Sequence, residues 1–416
     1  MKIYEKERVF VRQYSYIAAG VMVLLFGGII YAWSTLSVPM IAEFKEWTLS
    51  QISFTFSLCT LFFCIGGFLR GLIASKYSIR FTMLAAAILG CAGMLLTAQT
   101  TNNILFLYCG FGVLSGFSIG LAYNTVMSTV TSYFDTNRGT VSGILLMGFG
   151  FGSFVMGKIY QTLLSNMILD WHGIFRLFAI AILLIFVLAG FVLKENSEET
   201  HEITTLESSI PTMDMTTKEM LHTRVFWTYF LWAILLASSG YILLSHANGI
   251  LTEAVSHIHA DTAATLVGLI SICNGVGRIF WGFVYDKFQY KLTFMAIETA
   301  FALNIVMLYL GLRAESIVCI VTGFIAGGLF FAGLAALNSV FISDFFGTKY
   351  YPLNFSIINL NVLISSFGSV IAAIVYDKTG SYLSVILLLG CEMVLSLICI
   401  LQIKKPKTKN VNRNSI

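Results

Sequence analysis

Charge is what this chain has least of. Of its 416 residues, 11% are Asp, Glu, Lys or Arg and 57% are hydrophobic, a balance that excludes a soluble domain of this length. Chemical constellations are missing too. The eight cysteines (59, 64, 91, 109, 273, 319, 391 and 399) all fall in apolar runs without metal-site spacing, so they read as small packing residues and not as a disulfide framework. There is no glycine-rich phosphate loop, no ATPase domain and no grouping of nucleophile, base and acid. An ATP-driven pump and an enzyme are therefore both unexpected, and no cofactor is implied.

What is present is a series of apolar runs of about 20 residues, the length that crosses a hydrocarbon core roughly 30 Å thick. Twelve can be read, near 14–40, 51–73, 81–99, 103–131, 139–165, 174–193, 225–249, 263–285, 291–312, 316–342, 353–375 and 381–403. Spans this long must satisfy their own backbone hydrogen bonds, which predicts an all-α membrane protein of twelve transmembrane helices. The first run is too long for a signal-peptide core and is expected to stay in the mature protein.

Nineteen of the 25 Lys and Arg fall on one side of that topology, among them Lys2, Lys6, Arg70, Lys76, Arg80, Arg138, Lys287, Lys349 and the tail from Lys404 to Arg413. The other side receives Lys45, Lys158, Arg176, Arg313 and Lys378. The asymmetry predicts that both termini are cytoplasmic. The net charge of +4 reflects this orientation and implies no nucleic-acid partner. Lys158, close to the outer end of span five, is expected to snorkel to the interface.

The sequence also repeats itself. The long hydrophilic stretch 194–224, rich in Glu, Ser and Thr, reads as a linker between bundles 1–193 and 225–403, with a basic tail at 404–416. Within the linker, Thr216 and Glu219 have the spacing of a capping box. At an offset of 211 residues, Gly71-x-x-x-Ser75-Lys76-x-x-x-Arg80 is matched by Gly282-x-x-x-Asp286-Lys287-x-x-x-Lys291, and Gly112 and Gly116 fall on Gly323 and Gly327. Repeats of this kind mark secondary transporters, with the site near the midplane between the halves. The two loop motifs are expected to bring helices close at the glycines. Their charges would pair across the cytoplasmic face in one state of a rocking cycle. Gly112, Gly116, Gly120, Gly148, Gly150, Gly152 and Gly157 read mainly as close-packing positions.

One residue breaks the apolar pattern. Arg278 lies inside the run 265–285, and a permanent cation there must face a bundle interior or a cavity and find a negative partner. Two partners fit: an anionic substrate, or an intramembrane carboxylate, Glu298 or Glu392. Asn274 lies one turn before Arg278 and shares its face.

These residues resemble the major facilitator superfamily and, within it, the oxalate/formate antiporter family. The likeness rests on Tyr31-Ala32-Trp33-Ser34 followed by Pro39, Trp47-Thr48-Leu49-Ser50, Tyr123, Phe134-Asp135, Arg138-Gly139, Ser142-Gly143 and Gly148-Phe149-Gly150. It continues through Glu219-Met220-Leu221, Phe226-Trp227, Asn274-Gly275-x-Gly277-Arg278, Asp344-x-Phe346-Gly347-x-Lys349 and Asn354. The resemblance implies two pseudo-symmetric six-helix bundles and alternating-access transport of small carboxylates by a monomer in the cell membrane. The family's oxalate exchanger is expected to use an Arg in span eight and a Lys in span eleven. Arg278 matches the first, but the second place reads Asn359-Leu360-Asn361-Val362. A single cation suits a monoanion such as formate, lactate or pyruvate better than oxalate.

Span eight also resembles that of monocarboxylate porters, which carry an Asp where this chain has Asn274. An amide cannot carry a proton, so coupling through that position is not expected. Tyr31, Trp33 and Tyr123 lie on spans that line the cavity in this superfamily, with Phe330 and Phe331 as an opposing wall; helix packing is the alternative for each. Asn359 and Asn361 are candidates to replace the missing Lys as neutral donors. His246 and Glu392 are candidates for coupling or gating, against plain hydrogen bonding. A proton-coupled symporter, an exporter of another small solute and a non-transporting sensor remain open.

Overall fold

The computed structural model describes residues 2–73, 76–131, 133–134, 138–194, 214–347 and 350–405. Ser75, Lys349, linker positions 195–213 and tail positions 406–416 lie outside them, as does the side chain of Arg138. The described residues are helical, with no strand among them. Among the described residues, eleven helices are long and apolar enough to cross a bilayer, and the 54-residue one, Ala260–Arg313, is broken at Gln289 (φ 59°, ψ −176°). At 1.5 Å per residue that helix is long enough to cross twice. The break separates spans eight and nine.

Short polar residues start these helices. Ser78, Asp170, Thr223, Ser316 and Ser381 each accept a backbone N–H in the first turn of spans three, six, seven, ten and twelve. Thr216 and Glu219 form the expected capping box ahead of span seven (Arg224–Ala254). Span two is Leu49–Ile73, span five Arg138–Ser165 and span ten Ile317–Phe346.

Three spans depart from a plain α-helix, and they are the ones that shape the centre. Span one changes to a 3-10 turn over Gly28–Ala32. Span four, Leu105–Thr131, winds as a π-helix over Tyr108–Ser115. Span eleven comes in three pieces, Tyr351–Ile358, Leu360–Ser365 and Gly368–Thr379. Local rewinding of this kind re-aims side chains that a regular helix would send elsewhere.

Spans one to six pack among themselves, as do spans seven to twelve. The two sets meet where span five lies on span eight, span two on span eleven, and the end of span one on span seven. Two glycines face each other where spans five and eight cross. A Cβ added to Gly150 would sit 2.9 Å from Cα of Gly275, so position 150 has no room for a side chain, whereas a Cβ on Gly275 would make ordinary contact with Phe151 and Met147. Next to this crossing, Ser153 donates a hydrogen bond to Ser271.

Candidate functional site

Arg278 is half-buried on span eight, and its Nε donates to Oδ1 of Asn274 at 3.2 Å. Among the described residues it pairs with no carboxylate. Both candidate acids are engaged elsewhere. Glu298, 3% exposed, accepts from Trp232 Nε1 at 2.7 Å and Ser396 Oγ at 2.6 Å. Glu392 accepts from Ser238 at 2.9 Å and Ser239 at 2.5 Å. The expected alternative of a pairing with Arg278 is therefore corrected. Each acid fastens span seven to its outer neighbours, with uncharged donors as partners.

Tyrosines surround the guanidinium instead. Tyr31, Tyr123 and Tyr241 all lie within electrostatic reach of the guanidinium. Aromatic edges hold the group in place. Tyr31 meets Phe149 at 5.2 Å and Phe331 at 6.3 Å between ring centroids. Tyr123 meets Phe63 at 5.2 Å and Phe149 at 5.3 Å, and Tyr241 meets Phe331 at 5.3 Å. Phe331 fits only because residue 240 is glycine, where a Cβ would come 2.1 Å from its ring. A small cavity, about the size of one water molecule, opens between Ile30, Tyr31, Thr60, Phe63, Phe149 and Tyr241. The arrangement presents one cation, several hydroxyl groups and aromatic walls, which can hold a compact anion by charge and orient it by hydrogen bonds.

The structure divides the remaining candidates. Tyr31, Tyr123, Phe331, Asn274 and Arg278 come together. Trp33 does not: it is 1% exposed and tilts onto Phe111 at 4.7 Å, inside the first half. Phe330 turns outward and stacks on Phe301 of span nine at 4.4 Å. Asn359 accepts from Asn338 Nδ2 at 3.2 Å, and Asn338 Oδ1 accepts from Tyr229 at 3.0 Å, a polar chain within the second half. Asn361 is fully buried, and neither of its amide atoms has a hydrogen-bond partner. No contact links Asn359 or Asn361 to Arg278 among the described residues. Tyr241, Phe63 and Thr60 were not singled out from sequence, and Phe149 was named there only as part of the Gly148-Phe149-Gly150 run.

Among the described residues, polar contacts between halves lie on the side away from the termini. There Lys158, expected to snorkel, instead pairs with Asp261 of span eight at 2.6 Å. His246 is buried between spans, with Nε2 at 2.9 Å from the Ser369 carbonyl and 3.4 Å from Ser53 Oγ, and Nδ1 at 3.3 Å from Tyr382 Oη. On the termini side, Lys76, Arg80, Asp286, Lys287 and Lys291 are exposed. A Cβ on Gly71 or Gly282 would meet nothing within 4 Å. The expected close approach at these two glycines is not made in this conformation.

The model of the Major Facilitator Superfamily matches residues 16–254 and 242–415. The chain belongs to the major facilitator superfamily. Among curated relatives of this facilitator protein, the oxalate:formate antiporter of Oxalobacter formigenes is 24% identical over 384 residues, 89% of this chain and 86% of the relative. Monocarboxylate transporter 12 of Xenopus laevis is 25% identical, covering 82% of this chain and 79% of its own. The MFS-type transporter YhjX of Escherichia coli is 25% identical over 347 residues, 82% of each. In fold, a bacterial homologue of the human lysosomal transporter Spinster superposes with a TM-score of 0.70 at 16% identity, covering 94% of this chain and 96% of its own. The nucleoside transporter NupG gives 0.73 at 15%, covering 95% and 100%. The facilitator chain is thus a multi-pass membrane transporter with a small-molecule substrate, and its relatives are not enzymes.

Proposed function

We propose that this facilitator protein is a secondary active carrier of a small organic monoanion, and that Arg278 binds the carboxylate. The observation that carries the reading is a permanent cation inside a membrane-spanning helix, with tyrosines within electrostatic reach and no carboxylate paired with it among the described residues. A mobile anion supplies the missing charge. Relatives named for oxalate, formate and monocarboxylates point to the same chemistry. One cation balances one carboxylate, so formate, lactate or pyruvate fits better than the oxalate dianion. Tyr31, Tyr123 and Tyr241 would donate to carboxylate oxygens, while Phe63, Phe149 and Phe331 exclude water and strengthen the charge pair.

In this reading bundles 1–193 and 225–403 rock about the glycine crossing of spans five and eight, and 194–224 tethers them. The basic side faces the cytoplasm of a cell whose plasma membrane holds the carrier, which works as a monomer. The described conformation is then open to the inside, with the loop charges at Asp286 and Arg80 unlatched.

Counterflow in proteoliposomes with labelled formate, lactate, pyruvate and oxalate tests the proposal, with wild type compared to Arg278→Gln. Exchange of a monocarboxylate that disappears in the variant is expected. Equal rates in both, or no carboxylate movement at all, would overturn the anion site. Accumulation driven by a pH gradient would identify symport in place of exchange, and binding without flux would identify a sensor.

A further inference from the structure

The two halves hold the ends of their last helices in matching ways. After span six, the carbonyl of Lys194 accepts a hydrogen bond from Tyr133 Oη, just beyond span four, at 3.0 Å. The 211-residue offset of the repeat carries Tyr133 to Asp344 and Lys194 to Lys405, and that second pair also meets. Lys405 follows span twelve (Tyr382–Gln402), and its Nζ pairs with Asp344 Oδ1 at 2.6 Å. Asp344 Oδ2 accepts from Tyr285 of span eight at 2.8 Å, so one carboxylate joins the termini-side ends of spans eight, ten and twelve. The tie in the first half is a neutral hydrogen bond. Its counterpart in the second half is ionic, and so responds to other charges.

The surroundings of the ionic tie are basic. Lys404 is exposed beside it. Arg224, at the start of span seven, donates to Gln402 Oε1 at 2.9 Å and pairs with no carboxylate among the described residues. In the sequence, Lys407, Lys409 and Arg413 follow, and no acid occurs after Glu392. No charge interrupts 393–403. The apolar run therefore ends at Lys404 and Lys405, and sets them at the level of the lipid headgroups.

We propose that this basic root of the tail is a binding surface for anionic phospholipid headgroups, which compete with Asp344 for Lys405. Two magnitudes make the competition close. An ion pair as exposed as this one, 49% at Lys405 and 34% at Asp344, favours the paired state by about fivefold at most. A lysine held at an anionic membrane surface gains about the same factor. Arg224 and Lys404 tilt the balance, because each adds its own attraction to the bilayer without giving up a carboxylate. The guanidinium fork of Arg224 also matches a phosphate. Lys405 thus stays on Asp344 over neutral lipid and moves to the headgroups as anionic lipid increases. Its departure unties span twelve from spans eight and ten, which makes the tie a lipid-dependent brace within one bundle.

A zero-length cross-link reads the tie without any substrate. Carbodiimide joins a carboxylate to an amine as an amide only where the two touch, and the peptides carrying Asp344 and Lys405 are quantified by mass spectrometry. The full-length protein is placed in nanodiscs of phosphatidylcholine with an increasing share of phosphatidylglycerol. The cross-linked fraction should fall roughly threefold across that series, with Asp344→Asn setting the background. The double variant Arg224→Gln, Lys404→Gln keeps both cross-linking groups. It should match wild type in pure phosphatidylcholine and lose most of the dependence on phosphatidylglycerol. Soluble glycerol phosphate, added to the neutral nanodiscs, should leave the cross-link unchanged. The proposal is overturned by a wild-type cross-link that is missing in phosphatidylcholine or constant across the series. Equal loss with glycerol phosphate, or full lipid dependence in the double variant, overturns it as well.

Discussion

Arg278 and Asn274 are joined through Nε of the guanidinium, at 3.2 Å to the amide oxygen one helical turn earlier. That bond fixes the plane of the guanidinium while leaving the two terminal nitrogens, the fork that fits a carboxylate, outside it. Asn274 Nδ2 is buried without a partner, so the amide orients the cation and neutralises none of its charge. Asn274→Asp would supply a resident counter-ion one turn away. It should weaken monocarboxylate binding about tenfold or more, because the substrate must displace a carboxylate already paired with the arginine. Substrate KM in counterflow checks this; an unchanged KM would mean that the anion does not reach Arg278.

Tyr31 belongs to the first half, lies within electrostatic reach of Arg278 and lines the central cavity together with Tyr241 of the second half. Two hydroxyl groups that share one bound carboxylate should each matter more while the other is present. Tyr31→Phe and Tyr241→Phe are each expected to lower kcat/KM several-fold. The double variant should fall short of the product by a coupling of about 1 kcal/mol. Strict additivity in that cycle would show that the two hydroxyl groups act independently.

The helical architecture was legible because twelve apolar runs and one-sided basic loops leave little else to build. Arg278, Asn274, Tyr31 and Tyr123 stood out as polar groups on central spans, and they do meet. Faces were harder to read than helices. Phe330 and Phe331 are adjacent in sequence and therefore about 100° apart around the axis, so one packs outward on Phe301 while the other reaches Tyr31. Tyr31 and Trp33 are likewise separated by the end of a 3-10 turn that periodicity does not reveal. Tyr241 gave no signal of its own, since one more Tyr in an apolar run becomes a site residue only through the approach of span one. The Lys158–Asp261 pair is tertiary in the same sense, joining residues 103 apart in the chain.

Glu298 and Glu392 lie inside the membrane, yet neither touches Arg278. If they serve to fasten span seven, their charge is dispensable and their acceptor oxygens are not. Glu298→Gln and Glu392→Gln should retain exchange within about twofold of wild type. Glu298→Leu, which leaves Trp232 Nε1 and Ser396 Oγ without their partner, should lower thermal stability, at a cost on the order of 2 kcal/mol. Melting of the detergent-solubilised protein, read beside counterflow, separates the two effects. Loss of exchange in the Gln variants, with normal melting, would assign the acids a transport role.

Trp33 and Phe331 offer opposite outcomes for similar truncations. Trp33 is buried against Phe111 within one bundle, so Trp33→Ala removes packing that both conformations of the carrier use. It should cost about 3–5 kcal/mol of stability while any protein that survives keeps its substrate KM. Phe331 spans the two bundles, touching Tyr31 of the first and Tyr241 of the second. Phe331→Ala removes a wall of the site and a contact between halves that must break in every cycle. Its main effect should fall on KM and kcat, with a smaller shift in melting temperature. Exchange kinetics and melting curves for both variants provide the check. A Trp33 variant that melts normally but binds substrate poorly would place that indole in the cavity wall after all.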